Sequence, residues 1–446
     1  MSTKRFINRG LVCFFFCLIP AILPGIAACS DSEAFPEAFT LTSAIESALE
    51  ANIGLKVAQE ETQAADSVKK AQKTNFFPTF NTTYEYVRHD DERQTLGIGI
   101  TRPEEEYIWT ASITQPVFTG FSLSNQFKIA DLGLDLAKSN EITARHRIIF
   151  EAKNAYFSVL KAQKLVAVSQ QAVIQLEANS DVSKNFYDVG MIPLNDLLKS
   201  EVELANVRQE LIVAQNNLEI TEANFNTILR RPIQSSVVLK DILDYTPFVE
   251  DIDYCIHTAA ESRPEISGSD LSVEIAEKEL ALARKDYYPT VSLGGTYFRQ
   301  GTAWLADGGE GIYFPDGWDI SARLSWNFWE WGRTKHGAKA KMSRVSQAQH
   351  QKTDIHDNIV LEVKRAYLKN KESEKNILAI EKAVEQAKEN FRITEERYKE
   401  QMATTTDVLD AQTLLSKTMT NYYNSLYDFK ISEAALYWAM GQEVME

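Results

Sequence analysis

The chain is poor in several things, and each shortage closes off a class of function. It has 4 cysteines in 446 residues. Cys13 and Cys17 lie inside the N-terminal apolar run and Cys29 near its end; with Cys29 acylated, Cys255 has no partner within the chain, and the usage fits a chain without a disulfide framework. No CxxC or His/Cys cluster marks a metal site, and nothing calls for a cofactor. Positive charge is in deficit, with a formal net charge of −15, so the basic stripe expected of a nucleic-acid binder is missing. HExxH, GxSxG and P-loop patterns are absent, and the reading is a protein that catalyses nothing. Beyond the first 30 residues there is no long hydrophobic run, so the bulk of the chain is not a helical membrane protein. Glycine and proline are missing from two long stretches. Only Gly133 interrupts the interval between Gly120 and Gly190, and neither residue type occurs between Gly337 and Gly441.

The apolar run LVCFFFCLIPAILPGIAACS follows Lys4, Arg5 and Arg9, with no acidic residue before Asp31. A positive start, an apolar middle and small residues at the end describe a secretory signal over residues 1–28. Its removal takes away those three positive charges and moves the chain from −15 to −18. Ile26-Ala27-Ala28-Cys29 has the pattern of a lipoprotein signal, with Cys29 as the acylated residue and 29–41 as an anchor segment; ordinary cleavage near Ala28 would leave Cys29 unmodified.

The chain then says the same thing twice. YDVGMIPLNDLLKSE at 187–201 and YKEQMATTTDVLDAQ at 398–412 share Tyr187/Tyr398, Met191/Met402, Asp196/Asp407 and Leu198/Leu409, each pair 211 positions apart. The offset recurs between FFPT at 76–79 and YYPT at 287–290, and between Tyr156 and Tyr367. Two copies, 42–232 and 253–442, are joined by a linker at 233–252 and followed by a tail at 443–446. This is an internal pseudo-twofold, not a solenoid.

Each copy holds two stretches of period-two alternation, about 78–87 and 107–118 in the first and about 289–299 and 317–329 in the second. In the last, Trp318, Ile320, Ala322, Leu324, Trp326 and Phe328 alternate with Asp319, Ser321, Arg323, Ser325 and Asn327. Strands of about 10 to 12 residues cross a bilayer when tilted, and aromatics near their ends suit membrane girdles. Four strands cannot close a barrel alone, and lipid tolerates no open sheet edge, so copies of the chain must share one barrel. The Gly/Pro-free stretches read as helices of about 100 Å with apolar residues at 3-4 spacing, packed in the manner of a coiled coil. The repeated sentence falls at the far end of each helical hairpin, with Asp196 and Asp407 in the first turn of the returning helix.

With this plan laid out, the chain resembles the TolC-like outer-membrane efflux proteins. The resemblance rests on the duplicated helix–strand–strand–helix order, the QPVFTG and NFWEWG junctions, SRPE at 262–265, and the tips VGMIPLNDLL and ATTTDVLDAQ. It implies a mainly α fold with a membrane β portion: a homotrimer in the outer membrane of a Gram-negative bacterium, with a shared twelve-stranded β-barrel and a periplasmic α-barrel. It also implies a periplasmic adaptor and an inner-membrane RND or ABC transporter as partners. By position it implies a periplasmic gate at Asp196, Tyr398, Asp407 and Asp410. The adaptor-facing tips would be Val189, Gly190, Met191, Leu197, Met402, Val408 and Leu409. Ala403 stands where some members hold an arginine, and Gln401 replaces the turn glycine. A lipid-anchored periplasmic adaptor or scaffold with long hairpins is the competing reading.

Overall fold

The computed structural model describes residues 38–445 apart from 96, 98 and 243–245. The N-terminal apolar run and Cys29 lie outside the described residues. The first half runs α1 (Leu41–Ala51), α2 (Ile53–Thr74), β1 (Thr79–Arg88), β2 (Arg93–Thr95), β3 (Gly99–Arg102), β4 (Glu105–Thr119), α3 (Ser122–Asp188) and α4 (Leu194–Ile228). The second runs α5 (Ile252–Ser262), α6 (Pro264–Ala283), β5 (Thr290–Gly301), β6 (Asp316–Ser325), α7 (Arg333–Lys399) and α8 (Thr405–Ala439). The long helices α3 and α7 have 67 residues each, and α4 and α8 have 35 each.

The two halves reach the same shape by different local chemistry. Between α1 and α2, Asn52 leaves helical geometry and its side chain accepts from the N–H groups of Gly54 (2.7 Å) and Leu55 (3.3 Å), capping the new helix. Between α5 and α6 the break is made by Arg263 in extended geometry and Pro264 at the first helical position, where its missing N–H costs nothing. At the start of α3 and α7 the chain turns through left-handed residues: Gly120 and Phe121 in one, Trp331 and Gly332 in the other.

Four strands form one antiparallel sheet in the order β1-β4-β5-β6, while β2 and β3 pair as a separate hairpin. The helices continue this order. α3 packs between α2 and α6, and α6 packs against α7; nearer the tips α3 lies against α4 and α8, and α8 against α7. The chain is therefore a four-lane ribbon. One outer lane is α2, β1 and α4; the other is β6 and α7.

Register decides what each face of the sheet presents. One row across the strands is Phe80, Ile113, Gly295 and Ile320, and the next is Thr82, Ala111, Tyr297 and Trp318. On the opposite face lie Asn81, Ser112, Thr296 and Asp319. The apolar face is bare in a single chain: Phe80 and Ile320 are each 79% exposed and Trp318 73%. β6 ends at Ser325, four residues short of the expected 329. Ser325 pairs with Thr290, and the next partner position is Pro289, which has no N–H to donate. Among the described residues no helix is long and apolar enough to cross a membrane.

The core sits midway along the ribbon. Tyr156, fully buried, donates its hydroxyl proton between the carbonyls of Phe39 (3.0 Å) and Lys240 (2.5 Å), tying the segment before α1 and the inter-repeat segment to α3. Burial holds the phenol in its neutral form and pushes its pKa up to about 12. Arg263, with its side chain 6% exposed, bonds both oxygens of Glu265 (2.9 and 3.1 Å) and one of Glu362 (3.1 Å). It also reaches the carbonyls of Trp438 (3.2 Å) and Ala439 (3.3 Å) and lies over the Trp438 ring at 5.0 Å. One guanidinium thus clamps α6, α7 and α8 at the end of α8. Burial pushes the Glu362 carboxyl up, and Arg263 pulls it back.

Replacing Arg263 with Ala strands two carboxylates and two carbonyls. The expected loss is about 3–5 kcal/mol, read as a lowered unfolding midpoint by circular dichroism. Arg263→Lys should recover only part of it, because an ammonium cannot reproduce the fork.

Candidate gate and docking tips

Each long hairpin turns at its tip through the same backbone device. At the first tip the N–H of Gly190 donates to the Tyr187 carbonyl (2.8 Å) and that of Met191 to the Phe186 carbonyl (2.7 Å). At the second, Gln401 donates to Tyr398 (2.9 Å) and Met402 to Arg397 (2.7 Å). This pattern requires one left-handed residue. Gly190 takes φ 77° without strain, whereas Gln401 takes φ 62° with a side chain.

The returning helices start differently. α4 begins at Leu194 with Pro193 as its extended, uncapped N-cap, and Asp196 in the first turn pairs with Lys199 at 3.5 Å. α8 begins with a capping box. The Thr404 hydroxyl accepts from the Asp407 N–H (3.2 Å), and the Asp407 carboxylate accepts from the Thr404 N–H and hydroxyl (2.8 Å each). Those bonds to Thr404 hold the Asp407 carboxyl below the usual carboxylate range. The carboxylate is therefore ionised at neutral pH, and its cap is lost only as pH falls through that lowered value. Asp410 lies one turn on, exposed and three positions from Asp407, on the same helix face.

Tyr398 is not on the surface. It is 3% exposed and packs in a cluster with Phe391, Val408, Ala411 and Leu415, against Val182 and Phe186 of the other hairpin. Its hydroxyl meets the Ser183 hydroxyl at 2.8 Å and that of Thr405 at 3.2 Å. Ring contact with Phe186 at 5.6 Å completes a joint between α3 and the α7–α8 turn. Two weaker contacts cross between the tips: Lys199 to the Thr406 hydroxyl (3.5 Å) and the Gln401 amide to the Met191 sulfur (3.0 Å). Ala403 packs partly buried in the same cluster.

Of the tip residues expected to face a partner, Val189 (65%), Met191 (57%) and Met402 (64%) are exposed, as is Gly190. Leu197 and Val408 are not. They are 8% and 1% exposed because they sit on the seam where the helices meet, so they pack the hairpin instead of offering a surface. Leu409 is half-buried beside Val173, Leu176 and Val207. The exposed apolar line is Leu194 (49%), Leu198 (48%) and Val202 (61%), spaced by four along α4. Its spacing is present in the sequence, but a core stripe has the same spacing. Ser183, the partner of Tyr398, carries no sequence signal that sets it apart from other serines on α3.

Gln401→Gly should relieve the left-handed strain and stabilise the hairpin by about 1 kcal/mol. Thermal unfolding of the variant should show the gain, and Gly190→Ala should show a loss of similar size.

The profile of the outer membrane efflux protein family matches residues 44–229 and 255–442. Among curated relatives, the outer membrane protein TolC of Vibrio cholerae is 24% identical over 409 residues, covering 88% of this chain and 89% of that protein. Among solved structures, the CmeC outer membrane channel of Campylobacter jejuni superposes with a TM-score of 0.80 at 15% identity, over 90% of this chain and 85% of that one. The outer membrane protein VceC of Vibrio cholerae superposes with a TM-score of 0.78 at 17% identity, over 90% and 96%. Two matched copies, which together span most of the chain, and a fold shared from strands to tips lead to one conclusion: the chain belongs to the outer membrane efflux protein family.

Proposed function

We propose that the protein is the outer-membrane duct of a tripartite export system, assembled as a homotrimer. In this reading a periplasmic adaptor and an inner-membrane RND or ABC transporter supply cargo and energy. The observation that carries it is the open four-lane ribbon. β1 and β6 each have one unpaired edge, and the face that joins them is apolar and exposed. Hydrocarbon forbids such edges, so β6 of one copy must meet β1 of the next. Three copies of a four-stranded sheet give a barrel of twelve strands, within the known range for membrane barrels. The same closure sets α7 of one copy beside α2 and α4 of its neighbour and continues the barrel as a helical tunnel. A lipid-anchored adaptor would have no use for an exposed apolar sheet.

The tips would then form the mouth. The Tyr398–Ser183 joint holds the second hairpin against the first, and Asp407 and Asp410 of each copy would approach a common axis. Rings of carboxylates favour cations. Val189, Met191 and Met402, with the Leu194–Leu198–Val202 line, would offer apolar contact to the adaptor.

Detergent-purified protein should give ring-shaped trimers by electron microscopy and heat-modifiable migration on gels; a stable monomer soluble without detergent would overturn the reading. In planar bilayers the channel should prefer cations. Asp407→Asn with Asp410→Asn should lower the cation-to-anion permeability ratio several-fold, and an unchanged ratio would remove these residues from the constriction.

A further inference from the structure

The start of α7 is charged unlike any other part of this acidic chain. Residues 333–353 contain Arg333, Lys335, Lys339, Lys341, Arg344 and Lys352 and no Asp or Glu. The other copy supplies an internal control. α3 has the same length and follows its own strand in the same way, yet residues 122–142 carry Lys128 and Lys138 against Asp131, Asp135 and Glu141. The fold therefore does not require the basic run.

Half of these cations are already matched. Lys341 pairs with Glu279 (2.6 Å), Lys352 with Asp270 (2.5 Å) and Arg333 with Glu330. Among the described residues Lys335, Lys339 and Arg344 have no acidic partner, and all three are exposed. In a closed ring the exposed Glu60 and Glu61 of a neighbouring α2, about 20 Å below the sheet end of that helix, would lie nearly level with Arg344, which leaves Lys335 and Lys339 as the unmatched cations nearest the sheet. Ring closure brings α2 beside α7, and the membrane-proximal end of α2 carries Lys69, Lys70 and Lys73. Its nearby acid, Asp66, is already held by Lys70 at 2.6 Å.

A second observation marks the same place. The turn just ahead of α7 exposes Phe328 (78%), Trp329 (67%) and Trp331 (87%). Bulky aromatics followed within a few residues by lysine and arginine are the chemistry of a bilayer interface, where rings lie at headgroup level and cations meet phosphates. The free N–H groups at the start of a 67-residue helix add a partial positive charge.

We propose that the β6–α7 junction is a docking collar for anionic phospholipid headgroups of the periplasmic leaflet, with Trp329 and Trp331 seated in the interface and Lys335 and Lys339, which share a helix face in the first two turns of α7, on the phosphates. The proposal rests on the outer-membrane reading above. It gives the second copy a role that the first lacks: fixing the depth and lipid surroundings of the barrel.

The test uses the assembled full-length channel in neutral detergent, titrated with phosphatidylglycerol or phosphatidylcholine and followed by native mass spectrometry. The wild type should retain phosphatidylglycerol at least tenfold better, and the preference should shrink as salt rises. Each cation removed should weaken it about fivefold. K335Q/K339Q should therefore bind the two lipids within about twofold, whereas K128Q/K138Q on α3 and the charge-conserving K335R/K339R should keep the preference. An unchanged preference in the double glutamine variant overturns the proposal. So does its dissociation into monomers, which would assign the cations to contacts between copies. Failure of the wild type to bind either lipid would instead sink the membrane reading itself.

Discussion

A backbone N–H or C=O in hydrocarbon must find a partner, and that constraint organises this molecule. A single chain breaks it at both edges of its sheet, because β1 and β6 each leave one row of groups unpaired beside an apolar face. The only remedy that keeps the strands in lipid is repetition of the whole ribbon. In the assembly proposed above, oligomerisation is thus a condition of folding in the membrane. The proposed tunnel would be a consequence, since each lane that joins in the sheet is continued by a helix below it.

Below the sheet the problem changes from hydrogen bonds to packing. Helices of 67 residues satisfy their own backbones, so their stability rests on side-chain seams and on the few places where polar groups are clamped. The clamps cluster at the middle of the ribbon. Tyr156 and Arg263 each collect backbone carbonyls from segments remote in sequence, and each sits where a stack of two shorter helices is interrupted. The tips hold much less. One buried tyrosine hydroxyl with the apolar cluster around it, and the two exposed contacts of Lys199 with Thr406 and of Gln401 with Met191, join the two hairpins there. A clamped waist with a lightly fastened end would suit the mouth proposed above.

Much of this was legible in the residues. The 211-position offset gave helices of matched length, because backbone regularity depends on the absence of glycine and proline, and that absence can be read directly. Period-two alternation placed the four strands. The last was overextended past Ser325, because alternation continues through Trp326 and Phe328 while pairing stops at Pro289. The duplicated tips were visible as text, and Asp196 and Asp407 fell in the first helical turn as expected.

The sequence by itself determined element type, order and duplication, since these follow from local propensity and spacing. Tertiary structure alone decided which apolar residues are surface and which are seam. Leu197 and Leu198 are adjacent and chemically identical, yet one is buried and the other half exposed, because a helix turns about 100° per residue and its neighbours fix which direction is inward. It also decided that Tyr398 faces Ser183 across two hairpins. A contact of that kind depends on how separate helices are seated against each other, and no local pattern encodes it.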